Sequence, residues 1–165
     1  MDSMQSLLQS LNIGGYTLPN GRFFTPTPVF WDAIKPYQDT MFLDAGCGSG
    51  DLVNELIDNG FKAIGCDINM RDGVNDYGRT IQLVNATSFP LTKGMTVLTC
   101  RPDHSGWCEP LLERAVKFNC AFIYIGLERN LDLDLSSDVN YEIIARDVGE
   151  DGELMLLCNS INEDI

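Results

Sequence analysis

Two stretches of this chain carry residues able to do chemistry. In the first, Met41-Phe42-Leu43-Asp44-Ala45-Gly46-Cys47-Gly48-Ser49-Gly50-Asp51, an apolar run meets glycine at every second position. Glycines there let the backbone turn tightly and approach a ligand with no side chain in the way. Beyond the bend, Leu52, Val53, Leu56 and Ile57 outline one face of a helix that Asn59-Gly60 stops, so helix N-terminal amides point back at the bend. Strand, bend and helix in that order make a small-molecule cradle at the carboxyl end of a sheet. The next apolar run, Ala63-Ile64-Gly65-Cys66, ends in Asp67. A carboxylate at that place suits a ribose diol, because it accepts from both hydroxyls. The plainer reading is an ordinary strand-to-helix turn with a surface acid.

The second stretch, Arg101-Pro102-Asp103-His104-Ser105-Gly106-Trp107-Cys108, follows the strand-like run Met95–Cys100 and holds the chain's one histidine. Several readings stand side by side. His104 or Asp103 is a general base for a hydroxyl or amine nucleophile, with Trp107 walling the pocket. Arg101 uses its planar fork to bind a carboxylate or phosphate. Cys100, His104 and Cys108 are spaced C-x-x-x-H-x-x-x-C, which matches no standard zinc pattern, so no metal is expected. As a purely structural loop, the stretch has Asp103 or Ser105 capping the next helix and Trp107 packed on it.

A dinucleotide fingerprint needs its third glycine at position 51, where Asp51 stands. The pattern present, Asp44-x-Gly46-x-Gly48-x-Gly50 with Asp67 after it, resembles motif I of the class I S-adenosylmethionine (SAM)-dependent methyltransferases. That resemblance implies an α/β fold: a three-layer Rossmann-like sandwich on a mostly parallel seven-stranded sheet ending in a C-terminal antiparallel hairpin. It implies SAM as cofactor, with Asp44, Ala45, Gly46, Cys47 and Gly48 around its amino-acid end. Asp67 and Ile68 would lie at the ribose, and Asn85 and Ala86 at the adenine, while the fork of Arg101 suits a substrate carboxylate or phosphate or the cofactor's own carboxylate. Asn85 as a simple turn starter is the alternative for that position. Thr27-Pro28 looks like the element preceding the glycine loop in amino-methylating nucleic-acid enzymes, and equally like a plain helix cap. The Asn/Asp-Pro-Pro-aromatic motif of those enzymes is missing after the fourth strand. A base amine needs acceptors, and Arg101 donates.

The elements that must position these residues follow in order. Met4, Leu7, Leu8 and Leu11 outline a short amphipathic helix within a lead-in over 1–26, and one Rossmann-like domain of 165 residues has its core at 27–160. Thr27 caps a helix carrying Phe30, Trp31 and Ile34 inward as far as Lys35-Pro36. The segment Asn69–Gly78 is too rich in turn formers for a full crossover helix. Ile81, Leu83 and Val84 form the third strand, Met95–Cys100 the fourth and Ala121–Ile125 a central one. Glu109-Pro110 opens a helix that stops at Asn119. Leu131-Asp132-Leu133-Asp134-Leu135 crosses the sheet edge with its acids outward, as a loop or short helical turn. Tyr141–Ala145 and Glu153–Cys158 pair around Gly149-Glu150-Asp151-Gly152.

Twenty-four acidic residues against eleven basic ones give a formal charge of −13. Such a balance disfavours, without excluding, a nucleic-acid partner. Six cysteines without C-x-x-C spacing and no signal peptide point to reduced thiols in the cytoplasm, and no apolar run is long enough for a membrane. The expected function is SAM-dependent methyl transfer to a small-molecule or protein nucleophile. The alternative is a catalytically silent SAM-binding module acting as a sensor or subunit of a complex.

Overall fold

The computed structural model describes residues 24–68 and 81–159. The expected lead-in helix over Met4–Leu11 and the shortened crossover at Asn69–Gly78 lie outside them. Within the described residues the chain runs α1 (Pro28–Ile34), β1 (Met41–Ala45), α2 (Asp51–Asp58), β2 (Lys62–Asp67), β3 (Ile81–Leu83), β4 (Thr96–Cys100), α3 (Cys108–Lys117), β5 (Ala121–Gly126), α4 (Leu131–Asp134), β6 (Tyr141–Ala145) and β7 (Leu154–Cys158). The strands form a seven-stranded sheet of order β3-β2-β1-β4-β5-β7-β6. β1 pairs in parallel with β2 and β4, and β7 runs antiparallel to both β5 and β6. The expected mostly parallel sheet with a C-terminal hairpin is therefore what the chain builds.

The strands are apolar on both faces because both faces are covered. Alternation sends Leu43, Val97, Phe122 and Tyr124 to one side, where α3 packs with Leu111, Leu112 and Ala115. Their neighbours Phe42, Leu98, Ile123 and Ile125 face the other side, against Phe30 and Ile34 of α1 and Leu52 and Leu56 of α2. Three layers result. Chain order reverses between β1 and β4, since the strands from β1 step one way to β3 while β4 steps the other way to β5. Loops leaving the carboxyl ends of β1 and β4 diverge at that point and leave a crevice between them. Both chemically suggestive stretches are those two loops.

Several local expectations are corrected. Ile57 is 40% exposed, and the buried face of α2 is Leu52, Val53 and Leu56. Thr27 stands at the N-cap of α1 without capping it, because its Oγ1 donates instead to the Asp147 carbonyl at 2.8 Å. With Thr27 N on the Val148 carbonyl, this pins the helix start to the β6–β7 turn. Neither Asp103 nor Ser105 caps α3, whose N-cap is Trp107 with no side-chain cap bond. The largest reversal is at 131–135. A helical turn forms there, so Leu133 points out at 63% exposure while Asp134 is buried. Alternation in sequence is not alternation in space when successive residues rotate by a helical step.

Gly65 shows how tightly the first loop is seated. Its ideal Cβ would lie 2.7 Å from Cys47 Sγ and 2.8 Å from Val53 Cγ2, so β2 meets the bend and α2 only because no side chain intervenes. Gly65→Ala is expected to lower unfolding free energy by about 1–3 kcal/mol in urea titrations, the usual cost of overpacking. Wild-type stability in that variant would contradict a rigidly seated bend.

Candidate functional site

The bend after β1 is made by glycines that need left-handed backbone. Gly46, Gly48 and Gly50 have φ of 72°, 59° and 82°. Gly46 N and Cys47 N donate to the Cys66 carbonyl at 2.8 and 2.9 Å, continuing the β1–β2 ladder into the turn. Gly48 N donates to Asp67 Oδ2 at 2.8 Å, so the acid ending β2 ties down the apex of the bend. Three positions then differ in what surrounds them. A Cβ on Gly50 would strike Ile81 Cδ1 at 2.1 Å, and one on Gly46 would lie 3.2 Å from the indole of Trp107. One on Gly48 would meet no other described residue within 4 Å, which locates the open side of the cradle among them.

Asp44 and Asp67 are buried at 3% and 6% exposure, whereas Ile68 beside them is 65% exposed. Both carboxylates act on Cys47, whose thiol is pushed far up by burial first and by Asp44 and Asp67 second. Burial likewise pushes Cys66 up to about 12. Neither thiol is a nucleophile at neutral pH. Asn85 accepts from Thr87 N and Thr87 Oγ1 through its Oδ1, opening a short turn at Ala86–Ser88, and Ala86 is buried. Asn85 is thus a turn starter in this structure.

The loop after β4 leaves the sheet abruptly, with Arg101 at φ 48°. That left-handed backbone is unusual for a non-glycine residue and turns the chain sharply away from the strand. Arg101 Nη1 lies 2.9 Å from Asp151 Oδ2 and 3.5 Å from Glu153 Oε2, linking this loop to the hairpin turn. Asp103 organises the loop: its Oδ1 accepts from Ser105 N, Ser105 Oγ and Trp107 Nε1. Burial works against its ionisation, but those hydrogen bonds and the nearby His104 outweigh it and hold Asp103 below its ordinary value. A carboxylate so engaged is a weak general base.

His104 is placed differently. Its Nδ1 is 2.8 Å from Asp134 Oδ1, and Asp134 Oδ2 accepts the Tyr124 hydroxyl at 2.6 Å. Burial raises the Asp134 carboxyl, while the bonds from Tyr124 and His104 pull it back. Tyr124 is raised far above its usual range by burial and by Asp134, so it stays a hydrogen-bond donor. His104 and Asp134 line a cleft of about 510 Å3 together with Arg101, Pro102, Leu127, Arg129 and Leu133. One loop therefore borders both features, His104 facing the cleft and Trp107 facing the bend. Reasoning from sequence missed Asp134 and Tyr124. The usable signal was the pairing of a lone histidine with an acid in a leucine-rich turn.

Among the described residues no group of three or more His, Cys, Asp or Glu side chains is arranged to hold a metal ion. All six cysteines are free thiols. No described helix is long and apolar enough to cross a membrane.

No family model matches the chain, and no curated protein matches it. Solved structures do. The bifunctional kinase-methyltransferase WbdD aligns at TM-score 0.54 and 15% identity, over 78% of this chain and 38% of that one. A TehB-like SAM-dependent methyltransferase from Corynebacterium glutamicum aligns at 0.52 and 16%, over 79% and 85%. The 23S rRNA methyltransferase ErmE aligns at 0.56 and 13%, over 84% and 69%. This chain spans well under half of WbdD and most of the other two. At such identities the likeness is one of fold.

The Arg101 network carries a pH signature. Burial holds the Glu153 carboxyl above its ordinary 4.5, against the opposing pull of its backbone hydrogen bonds and Arg101. A carboxyl raised by folding makes the native state bind more protons than the unfolded chain, so its contribution to stability falls as pH rises through that window. The wild-type stability minus that of Glu153→Gln, from urea titrations between pH 4.5 and neutrality, is expected to decrease with pH. A flat or rising difference would contradict the assignment.

Proposed function

We propose that the chain is a SAM-dependent methyltransferase. The observation that carries the reading is the Gly46–Gly50 bend, fastened at Gly48 to Asp67 and clear of other described residues beyond Gly48, at the crevice where strand order reverses. The residues present fit the donor on physical grounds. A bulky adenosyl compound needs backbone approach without side chains, which Gly48 offers. A ribose needs an acceptor for two hydroxyls, and the Asp67 carboxylate at the end of β2 is such an acceptor. Exposed Ile68 offers an apolar surface beside that sugar, and the Trp107 indole forms a wall over Gly46.

In this reading Asp44 to Gly48 lie along the amino-acid end of the donor, Asp67 and Ile68 along its ribose, and Ala86 by its adenine. Asn85 shapes that last turn through its bonds to Thr87. Arg101, engaged with Asp151 and Glu153, belongs to the cleft wall. Bound there, SAM would supply an electrophilic methyl group. The protein's share of the work is placement, since a nucleophile must sit about 3–3.5 Å from the methyl carbon, in line with the departing sulfur. His104 is the group positioned to take a proton from that nucleophile, because Asp134 fixes its ring and the cleft reaches its face. Asp103, spent on the loop, holds the loop's shape.

Asp67→Asn keeps the side chain's size and removes its charge. By calorimetry it is expected to bind SAM at least about tenfold more weakly than the wild type, the range for a charge-assisted hydrogen bond. Its melting temperature should fall somewhat, because the Gly48 amide loses a charge-assisted acceptor, so affinity is compared at a temperature where both proteins are folded by circular dichroism. Unchanged affinity would overturn the reading.

A further inference from the structure

The cleft has a chemistry of its own, and its use as an acceptor site rests on the donor reading above. Asp134 has both carboxylate oxygens committed, one to the Tyr124 hydroxyl and one to His104 Nδ1. An ionised carboxylate only accepts, so Nδ1 of His104 carries a proton, and in the neutral ring the lone pair is then on Nε2. His104 is partly exposed, its side chain at 22%, while the Asp134 side chain behind it is at 2%. This is a base with one accessible nitrogen and a buried counter-charge.

The rest of the lining selects among substrates. Two arginines border the cleft. Arg101 already faces Asp151 and Glu153. Arg129, exposed at the rim, makes no ion pair with any described residue, an unneutralised cation on a protein of formal charge −13. Between Arg129 and His104 the walls include Pro102, Leu127 and Leu133, the last a leucine left 63% exposed at the mouth. A cation without an ion pair among the described residues, an apolar wall and an imidazole describe a molecule with an anionic group, an apolar spacer and a proton-bearing nucleophile. Asp134 and Asp151 line the cleft too but are engaged, the first by His104 and Tyr124 and the second by Arg101, so Arg129 disfavours ammonium compounds at the rim.

We infer that the cleft takes a small hydroxy acid, its carboxylate on Arg129 and its hydroxyl on Nε2 of His104. The step balances with the sulfonium donor as co-reactant. The hydroxyl oxygen forms the new O–C bond, the methyl–sulfur bond breaks with its electron pair left on sulfur, and the hydroxyl proton passes to Nε2. The imidazolium so formed faces the Asp134 carboxylate. Asp134 is a positioning residue, acting through His104.

One histidine in the chain means one set of imidazole NMR signals. The donor-free full chain is titrated with the three hydroxybenzoate isomers and with para-hydroxybenzylamine. At least one isomer should shift the imidazole signals saturably, the amine should not, and Arg129→Met should bind that isomer about tenfold more weakly. Imidazole nitrogen shifts should report a proton on Nδ1 in the wild type and a tautomer mixture in Asp134→Asn. Silence from all three isomers, equal binding by Arg129→Met, or preference for the amine would overturn the inference. SAM calorimetry on the same samples separates the two readings. Anion binding without SAM binding keeps the cleft assignment and sinks the donor reading, and SAM binding without anion binding does the reverse.

Discussion

A single hydrogen bond, from the amide of Gly48 to the carboxylate of Asp67, joins the two features on which the rest of the molecule depends. It connects the apex of the bend after β1 to the end of β2, so one acid both shapes the cradle and stands at its lip. The bond is buried, and a charge-assisted bond in such a place is worth more than its neutral counterpart. Around it the fit leaves no slack. Gly65 admits Cys47 and Val53, and Gly50 admits Ile81. Side chains are missing where elements must touch, and missing again at Gly48, where the left-handed backbone requires it and no other described residue comes near.

The second loop obeys a different constraint, the cost of burying a carboxylate. Asp134 reaches the interior on a four-residue helix and is tolerated because a tyrosine hydroxyl and an imidazole meet its two oxygens. That arrangement orients the imidazole toward the cleft as a side effect of satisfying the acid. Asp103, a few residues away, is satisfied by its own loop and serves only to hold it. Two neighbouring acids thus end in opposite roles, one shaping backbone and one aiming a base.

The layered fold was legible in the sequence because continuous apolar runs such as Ala121–Ile125 and the glycine bend leave few alternatives, and so were the bend and Asp67. The buried partner of His104 was not. Leu131-Asp132-Leu133-Asp134-Leu135 reads as alternation with acids to solvent, yet a helical step turns Asp134 inward and Leu133 outward. Only tertiary contact with Tyr124, ten residues earlier on β5, decides the matter. Thr27 tells the same story on a smaller scale: the residue type suits a cap, but a carbonyl of the distant hairpin takes its hydroxyl.

Amide chemical-shift mapping with S-adenosylhomocysteine, the thioether left after methyl transfer, tests the central claim most directly. The account predicts saturable shifts concentrated at Gly46, Gly48, Asp67, Ile68 and Ala86, with small changes in α1 and on β6. Absence of any saturable shift, or shifts confined to the cleft by Arg129 and Leu133, would contradict it.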